Sequence, residues 1–226
     1  MLYNKQAVQE NLRNRAGKRV FFLGKGDRLT SEAKDFLLSE RIEILPAEQA
    51  KPERYALLTG GYMESKPEHW THLNGEFLVP KTHPRIRFRG AMDTLEGELL
   101  LCGLVCSKTE QLEQVLALSR NLVRWEVLDE PVKEEGLCGM TMDQLRQRSH
   151  RPQDFYGQPH FMPSIADGAE ILQLNRARCA ARAAELAAAE AFTDREGNLT
   201  REDILRALNR ISSMLYLMMI ESKVKN

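Results

Sequence analysis

Four basic residues lie within nine positions of the segment KTHPRIRFRGAMDTLEGELL (81–100): Lys81, Arg85, Arg87 and Arg89. An apolar, helix-like stretch follows them directly. Cations clustered in this way can bind an anion such as a phosphate group, because their fields add. They can equally form a solvated loop. The segment by itself leaves both interpretations open.

A second polar set occurs in the alanine-rich segment near residue 180. Asn175, Arg178, Arg182 and Glu185 follow the spacing i, i+3, i+7 and i+10, which places them along one stripe of a helix. Alanines flank the stripe and would let a second helix approach closely. Buried arginines then need fixed anionic partners, either Asp93 or a bound phosphate chain. The alternative is a solvated face with ordinary i,i+4 pairing.

The last predicted helix carries a polar face next to its apolar one. Asn209 lies beside a core stripe, and its amide could bind a hydroxyl or a phosphate. A neighbouring backbone group is the alternative partner. The residues predicted for the core stripe are Ile204, Leu208, Ile211, Leu215 and Met218.

The composition limits the classes of function. The 226 residues include 32 Lys+Arg and 32 Asp+Glu, and this balance argues against a general nucleic-acid binder. No apolar run reaches the roughly 18 residues of a membrane span, and the N-terminus lacks the apolar core of a secretory signal, so we expect a cytoplasmic protein. The cysteines lie scattered in apolar contexts and are interpreted as reduced, buried thiols rather than metal ligands: Cys102, Cys106, Cys138 and Cys179.

The first part of the chain reads as a small α/β module. The pattern predicts a weak amphipathic helix over 1–16, strands over 19–24 and 41–45, and between them a helix over 31–41 capped by Thr30 or Ser31. Residues 46–80 show no long periodicity. We place the domain boundary near residue 65, giving a module of 1–65 and a second domain of 66–226.

Beyond Lys81 the chain is predicted to be helical. Thr141 and Gln144 form a capping-box pattern at the start of one helix. Five helices with one dominant core predict a mainly α fold built as a five-helix bundle. The other helices are predicted over 91–106, 109–128, 166–192 and 201–222.

Three motifs in this order resemble those of cobalamin adenosyltransferases. KTHPRIRFRGAMDTLEGEL (81–99) resembles their basic segment that leads into Asp-Glu-Leu. ARCAARAAE (177–185) resembles their Ala-Arg-x-x-x-Arg-Arg-Ala-Glu signature, and ALNRISSMLYLMM (207–219) resembles their Leu-Asn-Arg-Leu-Ser-Asp segment. The ethanolamine-utilisation type, a relative of the propanediol-utilisation type, is the most similar branch, and this resemblance extends over nearly the whole chain.

The resemblance implies transfer of the adenosyl group of ATP, bound with Mg²⁺, to the Co(I) of reduced cobalamin. Lys81 and Arg182 are expected to contact phosphates, Glu185 to orient nearby groups and Asn209 to hold the nucleotide. Asp93 and Arg178 are expected to form an ion pair across a subunit interface next to the site. The complete implied set is catalytic Lys81, Arg182 and Glu185, with nucleotide-binding or site-forming Lys66, Thr71, His72, Lys81, Arg85, Asp93, Arg178, Arg182 and Asn209.

The sequence departs from the family pattern in three places. A His and Cys-Cys-x-x-Cys cluster found in enteric members is absent from ERYALLTGGYMES (53–65), so no metal site is predicted there. Ala183 stands where the signature has its second arginine. The glycine-rich phosphate loop of the propanediol type is replaced by KPEHWTHLNG (66–75), which shifts the expected phosphate contacts to Lys66, Thr71 and His72.

The family also displaces the lower axial ligand of the corrin with apolar or aromatic side chains. A histidine ligand to cobalt would oppose this chemistry, so His150 and His160 are interpreted as structural or peripheral. The aromatic candidates are Phe88, Trp125, Phe155, Tyr156 and Phe161.

The resemblance further implies a homo-oligomer, a trimer by family analogy, together with an electron-donating reductase and a location in the cytoplasm or inside a bacterial microcompartment. Two hypotheses from other classes remain. One is a non-catalytic cobalamin or nucleotide carrier on the same fold. The other is a microcompartment adaptor in which the N-terminal module is the docking element.

Overall fold

The structure, a computed structural model, describes residues 1–15, 18–50, 54–133 and 136–225. The chain forms two compact units, Met1–His83 and Pro84–Asn226. This division falls 18 residues after the boundary expected near residue 65. The second domain predicted over 66–226 stays a prediction.

The first half of the N-terminal unit is an α/β arrangement of short elements. A three-stranded sheet has the order β2-β3-β5, with β3 antiparallel to β2 and parallel to β5. The predicted helix over 1–16 is wrong in extent. Only α1 is helical, because Asn4 caps its start and the chain turns into β2 soon after Asn11. The elements are β1 (Leu2–Tyr3), α1 (Lys5–Glu10), β2 (Arg13–Arg15), β3 (Lys18–Leu23), β4 (Arg28–Leu29), α2 (Ser31–Ser39) and β5 (Glu43–Pro46).

The helix α2 and its flanking strands follow the sequence prediction. Thr30, rather than Ser31, is the cap, and its Oγ1 accepts a hydrogen bond from the backbone N–H of Ala33 at 3.2 Å. Such a side-chain acceptor satisfies one of the unpaired N–H groups of the first turn. Strands β3 and β5 match the predicted strands within two residues.

Residues 46–80 contain a sheet that the sequence did not predict. Its strands have the order β7-β6-β9-β8, with β8 antiparallel to β9 and β6 parallel to β9. Each strand has at most four residues, which is too short for a period-two pattern to stand out. The strands are β6 (Tyr55–Leu57), β7 (Tyr62–Met63), β8 (Trp70–His72) and β9 (Phe77–Pro80).

The C-terminal unit is a helical bundle, which confirms the predicted mainly α fold. Helix α7 packs along both α3 and α8, and α5 packs on α8. The predicted capping box at Thr141 and Gln144 is present. The elements are α3 (Pro84–Cys102), α4 (Thr109–Leu128), β10 (Gly136–Leu137), β11 (Met140–Thr141), α5 (Met142–His150), α6 (Pro152–Tyr156), α7 (Gly168–Phe192) and α8 (Glu202–Lys225).

The core of the bundle lies along α7 and α8. The alanine seam of α7 is fully buried, and small side chains there allow the neighbouring helix backbones to approach closely. The predicted core stripe of α8 is also fully buried, from Ile204 to Met218. The buried alanines are Ala177, Ala181, Ala184 and Ala188. In the described part of the chain, no helix has the length and apolar character needed to cross a membrane.

Helix α3 begins seven residues before the predicted start at residue 91. The alternation of basic and apolar residues in Arg-Ile-Arg-Phe-Arg resembles an extended segment, but these residues form the first turns of the helix. The helical conformation instead places Phe88 in the bundle core, where its ring contacts that of Phe192 with centroids 5.4 Å apart.

Candidate functional site

Two arginines of the basic cluster are bound to a single buried carboxylate. Arg85 and Arg89 are separated by one helical turn, and both donate to Glu126 of α4. The Arg85 Nη2 also donates to the backbone carbonyl of Glu126 at 2.9 Å, and Arg89 Nε lies 2.7 Å from Glu126 Oε2. The side chain of Glu126 is 0% exposed, so its charge is neutralised from within the fold.

The third arginine pairs at the surface. Arg87 Nη1 donates to Glu190 Oε1 of α7 at 2.7 Å, and both side chains are at least half exposed. All three arginines of the segment therefore pair with glutamates of the same chain, an outcome that neither anion binding nor a solvated loop describes. Arg85, expected among the nucleotide contacts, has its guanidinium held by the carboxylate and the backbone carbonyl of Glu126 instead.

Lys81 differs from the arginines that follow it. It lies in the turn after β9, and its backbone N–H donates to the carbonyl of His69 at 2.8 Å. Its side chain is exposed, and within the described residues its ammonium group has neither a hydrogen bond nor an ion pair. This cation is free to bind an anion from solution.

The predicted contacts on β8 do not share one face of their sheet. Thr71 pairs with Val79 and His72 with Leu78, and adjacent side chains of a strand point to opposite sides. The ring of His72 contacts that of Tyr55, with centroids 5.8 Å apart. The structure therefore does not direct Thr71 and His72 to the same ligand.

The environment of His72 disfavours its protonated form. Its pKa lies below the usual value because burial disfavours the imidazolium ion, and the nearby cations Lys66 and Arg13 repel an added proton. A neutral imidazole can donate one hydrogen bond to a phosphate but brings no charge. Lys66, by contrast, is exposed and cationic.

The polar stripe of α7 lies at the edge of the buried alanine seam. Arg178 donates to the Asn175 side-chain oxygen from Nε at 3.1 Å and from Nη2 at 2.9 Å. Arg182 is exposed, and no hydrogen bond or ion pair within the described ranges engages its guanidinium. Asp93 on α3 is exposed too and does not pair with Arg178 within the chain. Their predicted pairing across a subunit interface stays a prediction.

Glu185 and Asn209 are brought together by the packing of α7 on α8. The Asn209 Nδ2 donates to Glu185 Oε1 at 3.0 Å, and both residues are half-buried. This contact joins a predicted catalytic residue to a predicted nucleotide-holding residue.

Arg210 is a neighbour of this pair that sequence reasoning missed. Its Nη1 donates to the side-chain oxygen of Asn209, and its side chain is only 7% exposed. The sequence feature that could have identified it as a site residue is its position directly after Asn209 in the Leu-Asn-Arg motif.

The aromatic candidates separate by burial. Phe88 and Trp125 are 0% and 3% exposed and belong to the core, so they cannot contact a corrin ring without unfolding the bundle. Phe155 is exposed, whereas Tyr156 and Phe161 are half-buried. The structure therefore leaves these last three side chains as accessible candidates.

His160 is held by the fold through both ring nitrogens. Its Nδ1 lies 3.1 Å from the Tyr216 hydroxyl, and its Nε2 lies 3.2 Å from the carbonyl oxygen of His150. The same hydroxyl accepts from the backbone N–H of Phe161 at 3.2 Å. With both nitrogens engaged, His160 is poorly suited to ligate cobalt, in agreement with its interpretation as structural.

Three of the four cysteines, the buried Cys102 and Cys106 and the half-buried Cys138, have the properties of inert thiols. Burial raises the pKa of Cys102 to about 12 and that of Cys138 to about 11, so neither is a thiolate at neutral pH. Burial raises the pKa of Cys106 as well. Cys179 is exposed, so its interpretation as a buried thiol is wrong.

Comparison with known proteins identifies similar chains. Residues 61–222 match the model of the family described as cobalamin adenosyltransferase. The chain is 29% identical over 224 residues to the corrinoid adenosyltransferase EutT of Salmonella typhimurium (strain LT2), a match that covers 88% of this chain and 84% of that protein. It is 33% identical over 162 residues to the Escherichia coli K12 protein of the same name, covering 71% of this chain and 61% of that protein. The chain thus spans less than two thirds of the Escherichia coli relative.

Two solved structures with a similar fold are variants of the same enzyme. Two variants of the PduO-type ATP:corrinoid adenosyltransferase of Lactobacillus reuteri, complexed with cobalamin and ATP, match with a TM-score of 0.52 and 18% identity. The matches cover 70% of this chain and 88% or 91% of those chains. At this identity the likeness establishes the fold.

Proposed function

Because this chain belongs to the cobalamin adenosyltransferase family, we propose that it is an ATP:corrinoid adenosyltransferase, which transfers the 5′-deoxyadenosyl group of ATP to the Co(I) of a reduced corrinoid. In this reaction a cobalt–carbon bond forms at the ribose C5′, and the bond from C5′ to the phosphate chain breaks. The bonding electrons leave with the phosphate chain. The nucleophile belongs to the substrate, so the protein contributes positioning and charge.

The observation that supports this proposal is that some cations are paired with an acid of the fold and others are not. Arg85 and Arg89 are bound to Glu126, whereas Lys81 and Arg182 are exposed, with no protein partner among the described residues. Negative charge accumulates on the departing phosphates, and cations held ready for it lower the barrier. We assign Lys81 and Arg182 as phosphate contacts, with Mg²⁺ arriving on the phosphate chain.

Asn209 and Glu185 are proposed to hold the nucleoside part. Asn209 offers an amide at the junction of α7 and α8, and Glu185 accepts one of its N–H groups. Glu185 therefore acts on the nucleotide through the orientation of Asn209.

Phe155, Tyr156 and Phe161 are the proposed contacts to the lower face of the corrin. An apolar or aromatic group there removes the axial ligand from cobalt and makes reduction to Co(I) easier. An electron-donating reductase is the partner that this chemistry requires. A location in a bacterial microcompartment fits the relationship to the ethanolamine-utilisation proteins.

A single anaerobic experiment tests the function. Purified protein is mixed with MgATP and chemically reduced cob(I)alamin, and the absorption spectrum is followed for formation of a light-sensitive alkylcobalamin. We expect conversion at a rate that depends on protein and ATP. Binding of ATP or cobalamin without conversion would identify a carrier, and the absence of both binding and conversion would favour an adaptor.

His72 provides a prediction that does not depend on turnover. In the free protein, an NMR titration of the His72 ring should give a pKa below 6.5, because burial and the cations Lys66 and Arg13 disfavour protonation. Inorganic triphosphate bound nearby should raise that pKa, since an anion stabilises the imidazolium ion. The His72→Gln variant identifies the resonance. A pKa that triphosphate leaves unchanged would remove His72 from the phosphate contacts.

Asp93 provides a test of assembly. If Asp93 pairs with Arg178 of a second copy, Asp93→Ala should lower both the oligomer fraction in sedimentation and the rate of adenosyl transfer. The exposed acid Glu113 on α4 offers a control, and Glu113→Ala should change neither quantity. The charge-swapped double variant Asp93→Arg, Arg178→Asp should recover part of the loss, because it restores the pair in reverse. A fully assembled and active Asp93→Ala protein would exclude this interface role.

A further inference from the structure

The environment of Arg210 suggests a role in positioning Asn209. Its Nη1 donates to Asn209 Oδ1, and Asn209 Nδ2 in turn donates to Glu185 Oε1 at 3.0 Å. We propose that Arg210 is a positioning residue that fixes the amide of Asn209 in one orientation for the nucleotide. The inference rests on the proposed function and adds to it the means by which the nucleotide is read.

The two partners of Asn209 determine which way its amide points. A guanidinium group only donates hydrogen bonds, and an ionised carboxylate only accepts them. A flipped amide would place donor against donor at Arg210 and acceptor against acceptor at Glu185. The orientation therefore follows from the chemistry of the partners and not from the assignment of nitrogen and oxygen.

The surroundings of Arg210 make this residue unfavourable for the stability of the fold. Its Nε is buried and has no hydrogen-bond partner in the described part of the chain. Burial lowers the pKa of its guanidinium, and repulsion from Arg146 on α5 and Arg206 on α8 adds to this, while Asp143 and Glu185 oppose it. Arg206 itself is 3.6 Å from Asp143 and largely exposed. An unsatisfied buried donor among like charges destabilises a protein.

Residues that break a packing rule without stabilising the fold are typical of functional sites. An apolar side chain of similar length would fill the same space without the charge and without the unpaired Nε. Replacing buried charges in this way is often neutral or stabilising. An arginine at position 210 is therefore better explained by its bond to Asn209 than by stability.

The oriented amide leaves one N–H and one oxygen lone pair unused. An N–H and a lone pair on the same edge of an amide complement a nucleotide edge that offers one acceptor and one donor. The edge of adenine that carries N7 and the N6 amino group has this pattern, and asparagine binds it through two hydrogen bonds in other complexes. A ribose hydroxyl, which both donates and accepts, also fits. Two analogues distinguish an adenine contact from a ribose contact. Inosine triphosphate has a carbonyl in place of the amino group and tests the adenine contact, whereas 2′-deoxy-ATP lacks a ribose hydroxyl and tests the ribose contact.

The test compares Arg210→Met with Arg206→Met, which removes a charge from the same cluster without touching Asn209. For Arg210→Met we expect an unchanged or higher Tm and a KM for ATP raised at least about tenfold, the effect of losing one charge-assisted hydrogen bond. The same variant should also show a smaller preference for ATP over inosine triphosphate, or over 2′-deoxy-ATP. Arg206→Met should keep the wild-type KM, and Arg210→Lys should recover part of the affinity.

A lower Tm with an unchanged KM for ATP would show that Arg210 serves only the fold and would overturn the inference. ATP affinity measured by calorimetry without corrinoid gives the same comparison independently of turnover. A wild type that forms no alkylcobalamin but binds ATP more tightly than Arg210→Met would reject the proposed transferase while supporting the role of Arg210. A wild type that binds no ATP would overturn both.

Discussion

Replacing Lys81 by alanine is expected to lower kcat for adenosyl transfer by about two to three orders of magnitude, the usual effect of removing one group that stabilises developing charge. The exposed ammonium group makes no hydrogen bond or ion pair with the described residues, so the substitution removes no interaction within the fold. The Tm should therefore stay at the wild-type value. Single-turnover rates with reduced cobalamin and saturating MgATP measure the effect.

Two variants make this result specific. Lys34→Ala removes an exposed lysine on α2 and should leave kcat unchanged. Lys81→Arg keeps the charge and should retain more activity than Lys81→Ala. Arg182→Ala on α7 should give a loss of similar size. Wild-type turnover in Lys81→Ala would exclude this residue as a phosphate contact.

The Glu126→Ala variant is expected to lose about 3–5 kcal/mol of unfolding free energy, because removing the carboxylate leaves the charges of Arg85 and Arg89 without their partner. Glu126 is fully buried and accepts from both Arg85 and Arg89. Denaturant titration of the intact chain measures the change. Even a Tm lowered far enough to prevent purification at ordinary temperature would agree with this expectation.

A matched surface pair gives the control. Glu96 binds Arg120 on the exposed side of α4, and Glu96→Ala should cost no more than about 1 kcal/mol. Replacing the whole buried group by Arg85→Met, Arg89→Met and Glu126→Leu should restore much of the stability lost in Glu126→Ala. Equal losses for Glu96→Ala and Glu126→Ala would contradict the structural role assigned to this group.

The parts of the fold that the sequence predicted are those with a strong local signal. The capping box at Thr141, the cap at Thr30, the boundaries of α4 and the core stripe of α8 all depend on residues within a few positions of one another. The sheet of β6 to β9 was not predicted, because its strands are short and the residues that join them show no periodicity. The early start of α3 was missed because its alternating arginines imitate a strand.

The sequence by itself contained the three motifs and their order, since these are residue types at fixed spacings, and the kind of chemistry followed from the resemblance of those motifs to a known family. Only the tertiary structure decided which cations are available. Arg85 and Glu126 are 41 positions apart in the chain, and Asn209 and Glu185 are 24 apart. A hydrogen bond depends on the distance between its atoms in space, which the packing of α3 on α4 and of α7 on α8 sets. For the same reason the structure, and not the motif, revealed Arg210 as the partner that orients Asn209.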